Sequence, residues 1–86
     1  MTNAYTFQQD LNRLSGETRQ IICQLAQAYA DCTVDSYHYA GLQYAMQLIS
    51  HLHEIDQYSS AEIVNFMLEL ELIQPNLDLY HRIYHD

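Results

Sequence analysis

The chain has 86 residues, 49% of them hydrophobic, and a formal net charge of −8 from 11 acidic residues against three arginines and no lysine. That length makes one small domain, residues 1–86, with a modest core, and that hydrophobic share is too high for a disordered tail. Neutralising phosphates takes clustered cations, and Arg13, Arg19 and Arg82 are scattered, so the composition argues against direct binding to nucleic acid or to an anionic membrane surface.

Charged residues are 16% of the chain, against about 25% in an average protein. The acids are ordinary in number and the bases are missing. Such a field would steer in a protein partner with a basic surface. It does not have the dense carboxylates expected of a DNA mimic. Cys23 and Cys32 are nine apart; on one helix they would lie roughly 13 Å from each other, too far for a disulfide. Reduced thiols suit a cytoplasmic protein. The opening "MTNAYTFQQD" lacks the basic start and apolar run of a signal peptide. No apolar stretch is long enough to span a bilayer.

Two glycines and one proline are too few turn residues for a sheet protein. Helix-favouring Ala, Leu, Gln and Glu abound. The expected fold is all-α, a compact single-domain bundle of four to five short helices. The first, about 4–14, places Phe7, Leu11 and Leu14 on one face. Ser15-Gly16 breaks it, and either residue can cap the next helix, with Glu17 in its first turn. That second helix, about 17–31, carries a stripe of Ile21, Ile22, Leu25, Ala28, Tyr29 and Cys32.

"DCTVDS" forms the next break. A third helix, about 36–56, has a near-heptad stripe of Tyr37, Ala40, Gly41, Tyr44, Ala45, Leu48, Leu52 and Ile55. Gly41 inside it costs about 1 kcal/mol relative to Ala and would let another helix approach closely. Ser59 with Glu62 reads as a capping box. The fourth helix, about 60–73, packs Ile63, Phe66, Met67, Leu70 and Ile73. Val64, Leu68 and Leu72 make a second apolar side, a surface suited to another molecule. Pro75 is expected to end it. A short fifth helix, about 77–85, would pack Leu77, Tyr80, Ile83 and Tyr84.

The chemistry-bearing groups are few. His81 and His85 stand at i, i+4 on that last segment and could chelate a divalent metal, but a structural site takes four ligands and a catalytic one about three. Imidazoles also suit a helix C-terminus without any metal. No phosphate loop and no nucleophile–base–acid order is present, so neither an enzyme nor a cofactor is expected. Eight tyrosines suit half-exposed seams and interfaces.

The sequence therefore reads as a small acidic protein–protein interaction module, an adaptor, inhibitor or regulator docking on a larger protein partner, with a homodimer plausible. Its candidate contact residues are Tyr37, Tyr39, Tyr44, Val64, Leu68, Glu69 and Leu72. Two alternatives stand beside it: an acidic inhibitor, immunity or anti-defence protein blocking a basic nucleic-acid-binding site, and a metal sensor using His81 and His85.

Overall fold

The structure, a computed structural model, describes residues 3–32 and 38–75. Among these it is all-α, with four helices: α1 (Ala4–Asn12), α2 (Gly16–Asp31), α3 (Tyr39–Leu52) and α4 (Ser60–Glu69). The expected fifth helix, with His81 and His85, lies outside the described residues, as does Tyr37.

Each start except that of α3 is built by a side chain that satisfies a free backbone N–H. Asn3 accepts from the Thr6 N–H at 2.8 Å, and Ser15 from the Thr18 N–H at 3.1 Å. At α4, Ser59 Oγ accepts from the Glu62 N–H, and Glu62 Oε1 accepts from the Ser59 N–H, both at 3.1 Å. This is the reciprocal capping box expected from Ser59 and Glu62.

The ends of α3 and α4 differ from expectation. Neither runs to the predicted 56 or 73. Glu54 and Glu71 both take φ of 60°, the left-handed conformation that glycine favours. Ile55 N–H then donates to Ser50 O at 2.8 Å and Leu72 N–H to Met67 O at 2.8 Å. The companion bonds, Glu54 N–H to His51 O and Glu71 N–H to Leu68 O, complete a Schellman motif at each end. So α4 is stopped by a left-handed turn at Glu71 and not by Pro75.

The core gathers Phe7 and Leu11 of α1, Ile22, Ala26 and Tyr29 of α2, Met46 of α3, and Ile63, Val64 and Met67 of α4. Helix α2 packs on α3 and α4, and α1 packs on α4. The loops add Ile55, Tyr58 and Ile73. Phe7, Tyr58 and Phe66 form an aromatic cluster with ring centroids 5.2–6.0 Å apart. Tyr58 Oη donates to Asp10 Oδ2 at 2.6 Å, which ties the loop before α4 to α1. Burial and that bond to a carboxylate push the Tyr58 hydroxyl up to about 12. The Gln27 side chain clamps the turn after α4, giving a bond to Gln74 O at 2.8 Å and taking one from Gln74 N–H at 2.9 Å.

Candidate docking surface

Helix α3 carries apolar residues around most of its circumference, with Gln43, Gln47, Ser50 and His51 gathered in one sector, so its roll about its own axis decides what the domain displays. The sequence pattern places Tyr44, Leu48 and Leu52 on one stripe of it, with Tyr44 also a candidate contact residue. The structure turns that stripe outward: Tyr44 is 67% exposed, Leu48 49% and Leu52 68%. Met46 and Ser50 are buried in its place, flanked by the half-buried Leu42 and Ile49. At 100° per residue, Tyr44, Leu48, Gly41, Leu52 and Ala45 form one continuous outer sector.

Two contacts fix this roll. Tyr39, in the first turn of α3, stacks on Tyr29 of α2 with centroids 5.0 Å apart, and the two hydroxyls share a hydrogen bond of 2.7 Å. Burial and this bond push the Tyr29 hydroxyl up to about 12. At the other end, the Schellman turn drives Ile55 into the core. With both ends held, the middle of α3 buries its less apolar side.

The outer sector has three further properties. From Tyr39 to Leu52 there is no Asp, Glu, Lys or Arg, whereas α1, α2 and α4 each carry carboxylates. A methyl group built on Gly41 would meet no atom of the described residues within 4 Å, so none of them needs the bare backbone there for packing. Beside it, a groove of about 610 Å³ opens between α2 and α3, lined by Ala28, Cys32, His38, Gly41 and Leu42.

The other predicted contact residues fall differently. Tyr39 serves the α2–α3 contact. Val64 is only 7% exposed and belongs to the core, and Leu68 is half-buried against it. Leu72 is exposed, but it lies beyond the end of α4, so the second apolar side of that helix is not a continuous open face. Glu69 is exposed at the last turn of α4. Of the six that are described, Tyr44 is the one that sits on the outer sector of α3. Gly41, Ala45, Leu48 and Leu52, which share its stripe in the sequence pattern, join it there.

Among the described residues no three His, Cys, Asp or Glu side chains come together to hold a metal ion. Burial pushes the Cys23 thiol up, partly opposed by the nearby Arg19; a thiol held protonated is a poor nucleophile. His51 Nδ1 lies 3.4 Å from Asp56 Oδ2 on the surface. Among the described residues no helix is long and apolar enough to cross a membrane.

No family model, curated protein or solved structure matches the chain. What fold and surface define is a class: a small all-α domain with one charge-free, apolar helix face turned outward.

Proposed function

We propose that this chain is a small acidic protein–protein interaction module of the adaptor or regulator type, which docks on another polypeptide through the outer sector of α3. The observation that carries this reading is the exposure of Tyr44, Leu48 and Leu52 at i, i+4 and i+8 on a helix without Asp, Glu, Lys or Arg. A contiguous apolar face of this kind is uncommon on a monomer and marks an interaction surface. Tyr and Leu with small neighbours suit an interface core, where charged residues are depleted. The unpaired Cys23 and Cys32 fit a reducing compartment such as the cytoplasm.

An acidic blocker of a basic site draws no support from α3, which offers no carboxylate. The test compares tagged wild-type protein with Leu48→Glu and with Asn65→Glu, which makes the same charge change on the exposed side of α4. Leu48→Glu should lose associated polypeptide while keeping its helicity, and Asn65→Glu should keep both. Equal retention by all three overturns the proposal.

A further inference from the structure

Resting on that reading, the geometry points to the occupant of this face: we infer that a second copy of the chain packs on it, α3 against α3 and antiparallel, across a two-fold axis. In such a pair, residues equally distant from the axis face one another. Place the axis level with the midpoint between Met46 and Gln47. Gly41 of one protomer then faces Leu52 of its partner, and Ala45 faces Leu48. Both pairs set a large exposed side chain against a small one, and the symmetry repeats each. Leu52 seats over the bare backbone at Gly41, where no described residue comes within 4 Å of a methyl group. That gives a use to a first-turn glycine that the packing of the described residues does not need.

Charge selects the same face. Each copy carries −8, so most approaches set carboxylate toward carboxylate. Across α3 the two copies meet without an acidic side chain from either helix. A parallel arrangement would set Leu52 against Leu52 and leave the bare backbone at Gly41 uncovered in both copies.

The purified chain, alone, is followed by sedimentation velocity from low micromolar to near-millimolar concentration at physiological salt. The expected result is a reversible monomer–dimer equilibrium with a dissociation constant on the order of tens of micromolar, because one helix crossing buries less than the ~800 Å² per partner of a standard interface. A Cβ at Gly41 meets no described atom within 4 Å, so Gly41→Leu should keep helicity and raise the dissociation constant about tenfold or more. In a Cys23→Ser, Cys32→Ser background, Gly41→Cys and Leu52→Cys variants should form disulfide-linked dimers when mixed and not when oxidised separately. A monomer at every concentration overturns the inference, as does equal cross-linking of either variant with itself. If the chain is monomeric while Leu48→Glu still strips its captured partner, the interaction-module reading stands and the second copy alone is wrong. If Leu48→Glu changes neither, both fall.

Discussion

The roll of α3 can be tested by two truncations on one helix, Met46→Ala and Leu52→Ala. Met46 is 1% exposed in the core, and removing a buried Met side chain typically costs about 2–5 kcal/mol, the transfer energy plus the cavity left behind. Leu52 is 68% exposed, so only about a third of it is covered, and full burial of a Leu is worth roughly 2–3 kcal/mol. Its truncation should cost under about 1 kcal/mol, and the better helix propensity of Ala returns a few tenths. For a domain of this size each kcal/mol moves the melting temperature by about 4–8 °C. Met46→Ala should therefore melt roughly 10–40 °C below wild type, and Leu52→Ala within about 5 °C. Urea titration at low protein concentration, with an unchanged m value, gives the energies without a contribution from association. If Leu52→Ala proves the costlier change, α3 packs by its other side and the docking surface proposed here does not exist.

Three other perturbations follow from the same geometry. Ser50 Oγ is buried with no hydrogen-bond partner among the described residues, so Ser50→Ala should raise stability by about 0.5–1 kcal/mol in urea; a loss of that size would mean the hydroxyl is bonded. Glu54 and Glu71 hold the left-handed position of a Schellman motif, where a non-glycine residue costs about 1–2 kcal/mol, and each places a negative charge at the negative end of a helix. Glu54→Gly and Glu71→Gly should each gain about 0.5–1 kcal/mol, allowing for the greater entropy of glycine in the unfolded chain; destabilisation by either would show that its carboxylate makes a contact worth more than the strain. Tyr29 and Tyr58 keep their protons up to about 12, against an ordinary 10.0. The stability they add is whole below about pH 10 and drains away as pH climbs through about 12, so tyrosinate absorbance of the folded protein should show two groups that ionise late, together with loss of helicity. Full titration of every tyrosine near pH 10 with helicity intact would refute this.

How far the sequence could be read depended on which atoms carry the signal. Helix starts are announced by side chains that bond their own backbone, so Ser15, Ser59 and Glu62 could be placed in advance. The two Schellman ends could not, because glutamate gives no sign of left-handed geometry and the turn is imposed by Ile55 and the chain that follows it. In α1 the apolar spacing was unambiguous, and Phe7 and Leu11 are buried as expected. In α3 apolar residues occupy most of the circumference, so periodicity could not choose a face. The Tyr29–Tyr39 contact, made across the fold, decides it. Val64 failed for a related reason: a helix apolar on most of its surface looks as if it has a spare face until its neighbours are in position.

The sign of the salt dependence separates the two readings of the net charge. Two copies with −8 each, their centres roughly 25 Å apart as for small domains in contact, repel as point charges by about 5 kcal/mol at 0.01 M salt and by under about 1 kcal/mol at 0.15 M. The apolar contact across α3 changes little over that range. Self-association should therefore be nearly absent in dilute buffer and strengthen by orders of magnitude toward physiological salt. An acidic inhibitor seated on a basic site does the reverse, since the same ions screen an attraction. Sedimentation at the two ionic strengths reads the sign directly. Dimers that dissociate as salt is raised would mean that charged groups hold the copies together, and an uncharged α3 could not be the surface between them.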